Sequence, residues 1–292
     1  MTPTSAWVAG ARPRTLPAAI APVLVGTGAA AAAGSANIGR ALLALVVALA
    51  LQVGVNYAND YSDGVRGTDD NRVGPLRLVG SGSASANAVR TAAWLSFGAG
   101  GLAGLMLVVL TQQWWLLAVG AIAIAAAWYY TGGSRPYGYS GLGEVSVFVF
   151  FGLVAVVGTT YVQVERVTAA SVIGGVAIGA LACGILLANN LRDAPTDAPS
   201  GKRTLAVALG PRRTRLLYLG LVALAYVLAI ALAVGGRGWA LLSLLSAPLA
   251  VKAARPILRR ATGADLIPVL RDTGLVELAY AVLLAVGLAL TA

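Results

Sequence analysis

The sequence predicts an all-α membrane protein: one domain over residues 1–292, a bundle of about nine transmembrane helices with its active site opening to the cytoplasmic side. Three observations predict this. Of 292 residues, 58% are hydrophobic and 11% charged, against roughly 45–50% and about 25% in soluble domains. Nine windows approach the roughly 17–25 mostly apolar residues that a spanning helix needs. The scarce charge falls almost entirely between alternate windows. Such a composition excludes an ordinary soluble enzyme, a disordered chain and a coiled coil. There is no His and one Cys, Cys183, which excludes His-based metal sites and bases, disulfides and Cys-cluster zinc sites. Chemistry is left to Asp, Glu, Asn, Lys, Arg, Tyr and the backbone.

The windows are 16–33, 41–58, 92–110, 114–131, 145–163, 168–188, 216–234, 238–251 and 274–291. The first lacks the compact basic region that precedes a cleaved signal sequence and is expected to stay in the chain. The second ends in a polar cluster. The third and sixth are rich in glycine (Gly98, Gly100, Gly101 and Gly104; Gly174, Gly175 and Gly179), which lets helix backbones approach in a membrane. Trp114-Trp115 and Tyr129-Tyr130 bracket the fourth as interfacial anchors. Glu144 precedes the fifth, near a predicted cytoplasmic end, as a structural or snorkelling group with a base role as the alternative. The sixth contains Cys183 as a small packing residue and closes in a second polar cluster. The seventh is uninterrupted, the eighth is short and contains Pro248, and the ninth carries Glu277 near its predicted cytoplasmic end, again as a structural or snorkelling group.

Nine spans place the termini on opposite sides. With the N-terminus cytoplasmic, eighteen of the 21 Lys and Arg residues lie inside, and only Arg40, Arg166 and Arg237 lie outside. That bias orients a multi-pass protein in the plasma membrane. The formal charge of +10 is thereby read as an orientation device, and no nucleic-acid partner is implied.

All eight Asp residues share the basic side, six of them in two clusters. The first runs Asn56-Tyr57-Ala58-Asn59-Asp60-Tyr61-Ser62-Asp63 and on through Arg66 to Asp69-Asp70. If the helix continues, Asn56, Asn59, Asp60 and Asp63 share one face. The second runs Asn189-Asn190-Leu191-Arg192-Asp193-Ala194-Pro195-Thr196-Asp197, then Gly201-Lys202-Arg203. Pro195 argues against an unbroken helix beneath it. Asx residues at helix ends are often simple caps, but two such groupings at one mouth are costly unless a cation neutralises them. Hard oxygen donors suit Mg²⁺ held together with substrate phosphates. Arg66, Arg192, Lys202 and Arg203 would meet the remaining phosphate oxygens. The pattern predicts a diphosphate between two helices at the lipid bilayer surface, and a lipid tail on it would explain the membrane setting. The two clusters, near 56–70 and 189–205, also read as an internal four-helix repeat.

At these residues the chain resembles the UbiA superfamily of intramembrane aromatic prenyltransferases. The resemblance runs over most of its length: Arg12-Pro13-Arg14-Thr15-Leu16-Pro17, Asn59 to Asp69, Gly74-Pro75-Leu76-Arg77, Arg135-Pro136-Tyr137-Gly138-Tyr139, and Asn189 to Leu205. The Gly-Pro-Leu-Arg and Arg-Pro-Tyr-Gly-Tyr loops resemble the branch whose acceptor is 1,4-dihydroxy-2-naphthoate. The resemblance implies that Asn59, Asp60, Asp63, Asp193 and Asp197 hold Mg²⁺ against a polyprenyl diphosphate, with Lys202, Arg135 and Arg66 on the departing diphosphate. It implies decarboxylating transfer to the naphthoate, giving demethylmenaquinone for menaquinone biosynthesis. Arg12 or Arg14 would receive the carboxylate. Tyr57, Tyr61, Tyr137 and Tyr139 would stabilise an allylic cation, and Asn56 and Asn189 are grouped with them at the substrate. No residue is assigned as a base. The superfamily's last Asp of the first motif would fall at position 67, which is Gly67 here, leaving Asp69 or Asp70 to substitute.

Alternatives remain. Another aromatic acceptor, such as 4-hydroxybenzoate or homogentisate, is separated only by loop resemblance. A CDP-alcohol phosphotransferase would carry one compact motif with Ala-Arg after Asp-Gly, whereas Asp63-Gly64 precedes Val65-Arg66. A cation-coupled transporter predicts ionisable groups deep in the spans, whereas these acids lie at helix ends.

Overall fold

The computed structural model describes residues 3–67 and 76–291, and the regular elements among them are helical. In order they are α1 (Thr4–Ala11), α2 (Pro17–Ala31), α3 (Ile38–Arg66), α4 (Ala86–Thr111) and α5 (Leu116–Tyr129). They continue as α6 (Gly143–Val164), α7 (Ala169–Asp197), α8 (Leu205–Val234), α9 (Gly238–Leu258) and α10 (Gly263–Ala289). Each apolar window falls in a helix. Seven helices, α3, α4 and α6 to α10, are long and apolar enough to cross a membrane. The other two, α2 with 15 residues and α5 with 14, fall short, so the expected nine spans become seven candidates and two short apolar helices.

Local chemistry sets the ends. Asn37, Ser85, Thr168 and Thr204 accept hydrogen bonds from the first turns of α3, α4, α7 and α8, as N-caps do. Gly67 ends α3 with φ 72°, a left-handed conformation that glycine adopts without strain. The position where the general motif has its last Asp is therefore a left-handed turn in this chain. By contrast, α7 runs helically through Pro195 to Asp197, correcting the expected break. Helix α8 begins at Leu205 and kinks at Gly210, just before Pro211.

Helix α7 is the buried centre, packed against α2, α6, α8 and α10. Helix α6 is π-helical over Phe148–Val154, and there Gly152 lies against α7. A Cβ on Gly152 would lie 2.6 Å from both the Gly175 carbonyl oxygen and the Gly179 Cα. The α7 glycines thus serve close approach as expected. In α4 the glycines divide: a Cβ on Gly100 would lie 3.4 Å from Ala50 and Leu51 of α3, whereas nothing lies within 4 Å of a Cβ on Gly98 or Gly101; Gly100, Gly101 and Gly104 also line a cavity. No α5 residue is buried, because this helix forms a thin side wall to that cavity. At the end remote from the motifs, Arg40 donates to the Val162 and Leu110 carbonyls at 2.9 and 3.1 Å, tying the ends of α6 and α4 together.

Gly152→Val should lower stability by about 1–3 kcal/mol, since overpacking forces two backbones apart. Thermal melting in detergent measures this. Gly98→Ala should leave the melting temperature unchanged.

Candidate active site at the motif end of the bundle

A cavity of about 670 Å³ opens among α2 to α7. Its depths are apolar, with Val23, Leu107, Phe151 and Val154 among the lining residues. Its polar end gathers Asn59 and Asp63 from α3 and Asn189, Asp193 and Asp197 from α7, with Arg12, Arg77, Tyr139 and Lys202 from the connecting segments. The two clusters therefore share one mouth, as their spacing predicts.

Lys202 sits between them, its Nζ 3.9 Å from both Asp63 Oδ1 and Asp197 Oδ1 and 4.6 Å from the centre of the Tyr139 ring. The Tyr139 hydroxyl donates to Asp63 Oδ1, and Arg77 Nη2 lies 3.5 Å from Asp63 Oδ2. Asp193 is held by the adjacent Arg192 through two bonds of 2.6 and 2.7 Å, while Arg192 also donates to Asn189 Oδ1 at 2.8 Å. Three backbone bonds hold the loop geometry: Lys202 N to Asp197 O (3.0 Å), Arg203 N to Tyr139 O (2.8 Å) and Gly138 N to Tyr130 O (3.0 Å). Burial pushes the Tyr137 hydroxyl above the usual phenol range. It stays protonated, donating to the Ala126 carbonyl at 2.8 Å with Ser146 Oγ at 2.9 Å.

Several residues grouped with the site do structural work beside it. Asp60 is fully buried and is absent from the cavity wall, its Oδ2 and Oδ1 accepting from Leu78 N (2.8 Å) and Val79 N (3.0 Å). The helix explains this: at about 100° per residue, Asn59, Asp63 and Asn56 share one stripe while Asp60 falls at its far edge. Asp60 thereby fastens the segment that carries Arg77. Arg66 turns away to donate to the carbonyls of Thr131 and Gly133, and Thr131 donates to Asn59 Oδ1 at 2.8 Å. Asn56 lines the cavity, yet its Nδ2 donates to Ala11 O (2.9 Å) and Thr15 Oγ1 (3.0 Å), holding the arm that places Arg12. The Tyr57 hydroxyl holds the same arm through Trp7 O at 2.9 Å. Tyr61 stacks on Trp128 with centroids 6.0 Å apart. Arg14 and Arg135 are exposed and do not line the cavity. Asp69 and Asp70 lie outside the described residues.

Some participants were not singled out by spacing. Arg77 lies beside Asp63 at the mouth, whereas Arg66, expected on the diphosphate, is bound to backbone carbonyls, and the loop geometry that puts Arg77 there leaves no periodic trace. Tyr130 lines the cavity instead of anchoring at an interface, whereas Trp114, Trp115 and Tyr129 are exposed. Cys183 packs as expected, its thiol donating to the Glu144 carbonyl at 3.1 Å. Glu277 is fully buried within α10, because that helix starts eleven residues before the expected span (Gly263 against 274). It cannot snorkel to an interface.

Among the described residues, no three acidic side chains form a metal cage by themselves. Asp63 and Asp197 instead flank one ammonium, showing that a cation fits between the two motifs. Hard oxygen donors from a few carboxylates, with the rest of the shell left to water and substrate phosphates, are the set that suits Mg²⁺.

A model of the UbiA prenyltransferase family matches residues 19–270. The chain is 59% identical over 283 residues to a Mycobacterium tuberculosis protein named 1,4-dihydroxy-2-naphthoate octaprenyltransferase, covering 97% of this chain and 96% of that one. It is 40% identical to the Escherichia coli protein of the same name, covering 92% and 90%. Among solved structures, the apo form of a UbiA homologue from Aeropyrum pernix superposes with a TM-score of 0.70 at 16% identity, over 92% of this chain and 96% of that one. A homologue from Archaeoglobus fulgidus, bound to DMAPP and Mg²⁺, gives 0.62 at 14% identity over 97% and 98%. At such identities the likeness is one of fold.

Asp60→Ala should destabilise the protein by about 1–3 kcal/mol, because two buried amides lose their acceptor, and should weaken binding of inorganic diphosphate by displacing Arg77. Asp60→Asn keeps one acceptor and should fall between. Melting curves and diphosphate competition measure the two effects.

Proposed function

The chain belongs to the UbiA prenyltransferase family, and we propose that it transfers a polyprenyl group from polyprenyl diphosphate to 1,4-dihydroxy-2-naphthoate with loss of the carboxylate. The observation that carries this reading is the convergence of both Asp motifs on Lys202 at the mouth of an apolar chamber. The naphthoate acceptor is supported by relatives of that name at 59% and 54% identity.

The chemistry follows from the arrangement. Asp63, Asp193 and Asp197, with Asn59 beside them, would hold Mg²⁺, which when bound supplies charge neutralisation to the leaving diphosphate. Lys202 and Arg77 already face the same point and exchange carboxylate partners for phosphate oxygens as the substrate enters. Their fixed positive charge favours the state in which negative charge builds on the diphosphate, and so promotes scission of the allylic C–O bond. The Tyr139 face, 4.6 Å from Lys202 Nζ, lies where a cation binds and can accept the allylic carbon. The apolar wall below keeps water from capturing it. The ring carbon bearing the carboxylate then forms the new C–C bond. The bond to the carboxylate breaks, CO₂ leaves, and its electron pair restores the aromatic ring, giving the reduced form of demethylmenaquinone. Arg12, held at the mouth by the Asn56 and Tyr57 bonds to its arm, would receive the carboxylate before it leaves.

The bias of Lys and Arg toward the motif end supports a plasma-membrane protein with a cytoplasmic N-terminus and a mouth on that side. The two 29-residue helices α3 and α7, each ending in a motif and packing on the next helix, support a duplicated unit.

Purified protein given polyprenyl diphosphate, Mg²⁺ and dihydroxynaphthoate should release diphosphate and CO₂ in equal amounts. Diphosphate release without CO₂ would refute the decarboxylating assignment, and 4-hydroxybenzoate and homogentisate serve as competing acceptors. Asp63→Ala and Asp193→Ala should each abolish turnover while the protein still elutes as a folded species in detergent. Chelation by EDTA should stop the reaction, and added Mg²⁺ should restore it.

A further inference from the structure

One helical turn inside the motif mouth, a buried carboxyl lies behind a cavity-lining amide. Asn190 lines the chamber about 4.5 Å of helix rise below Asp193, and its Nδ2 donates to Glu144 Oε1 at 2.9 Å. Glu144 is 6% exposed and absent from the cavity wall, and its Oε2 has no hydrogen-bond partner among the described residues. This contact commits the Asn190 amide nitrogen to Glu144 and leaves its carbonyl oxygen as the end available to the chamber that Asn190 lines. No hydrogen bond from a described residue reaches that Oδ1. The Tyr130 and Tyr137 rings meet edge to face, 5.5 Å between centroids, and both line the same chamber. A Cβ on Gly143 would lie 3.0 Å from the Tyr130 hydroxyl oxygen, so Tyr130 closes over the backbone just before Glu144.

We infer that Asn190 Oδ1 accepts a hydrogen bond from a ring hydroxyl of the aromatic acceptor, and that Glu144 is the positioning residue that fixes the amide for this task. The inference rests on the proposed acceptor chemistry and adds the residue that reads the hydroxyl. The apolar walls offer the fused ring a surface without direction. An oriented acceptor one turn below the diphosphate site supplies direction, because a hydroxyl left unpaired in such a chamber binds poorly. Accepting that bond also leaves more electron density on the ring, which is the nucleophile.

The test compares binding of 1,4-dihydroxy-2-naphthoate with 1-hydroxy-2-naphthoate and 4-hydroxy-2-naphthoate, each lacking one hydroxyl, as competitors in the wild type and variants. Wild type should discriminate against one of the two by on the order of tenfold, the size of a lost buried hydrogen bond. Asn190→Ala should erase that discrimination while leaving the KM for polyprenyl diphosphate within about twofold. Glu144→Leu should do the same by releasing the amide. Glu144→Gln, whose side-chain oxygen still accepts from Asn190, should preserve discrimination and kcat. The ratio is insensitive to how much of a variant folds. Discrimination unchanged in Asn190→Ala would overturn the inference, and so would Glu144→Gln failing as fully as Glu144→Leu, which would make Glu144 a proton carrier. Failure of the wild type to convert dihydroxynaphthoate at all would instead bring down the proposed function.

Discussion

Placing carboxylates at the end of an apolar bundle is permissible only if each is neutralised where it stands, and this requirement organises the motif end of the molecule. Charged groups removed from water lose several kcal/mol of hydration each and need partners of good geometry. Asp63 has Tyr139, Arg77 and Lys202; Asp193 has Arg192; Asp60 has two backbone amides. Those partners come from four separate segments, so satisfying the carboxylates draws the connecting loops over the mouth. The loops are therefore part of the electrostatic solution, and the site exists because the acids must be paired.

The same requirement leaves the site poised. Lys202 divides its charge between Asp63 and Asp197 at a distance too long for a tight ion pair with either. Arg77 reaches Asp63 at 3.5 Å. Long contacts of this kind are readily exchanged for a diphosphate, whose oxygens offer denser negative charge. Arg66 and Asp60, by contrast, are fully committed to backbone groups. On the proposed function, this division between exchangeable and committed charges would separate residues that meet the substrate from those that hold the frame, although the motif spells both in the same letters.

Below the mouth, packing divides the chamber from the support. Helix α7 approaches α6 through Gly152, Gly175 and Gly179, and this rigid pair carries Asp193, Asp197, Asn190 and Glu144. Across the cavity, α5 has no buried residue, and Gly100, Gly101 and Gly104 of α4 line the space. One wall thus carries the motif side chains on closely packed helices, and the other is thin and apolar, an arrangement suited to a long flexible chain whose head alone must be positioned.

The sequence by itself determined the membrane class, the positions of the apolar helices, the two Asp clusters and the family, because each is written in local quantities: apolar run length, charge asymmetry and spacing within one helix. Tertiary structure decided which members of those clusters do which work. Whether Asp60 or Asp63 faces the chamber depends on which neighbour α3 packs against. Whether Arg66 or Arg77 meets a carboxylate depends on where the following segment folds back. The pairing of Glu144 with Asn190 joins residues 46 apart, and the inward turn of Tyr130 depends on Gly138 and Gly143 lying against its ring. Such choices are made by contact between segments, and the energies that make them appear only when the helices are side by side.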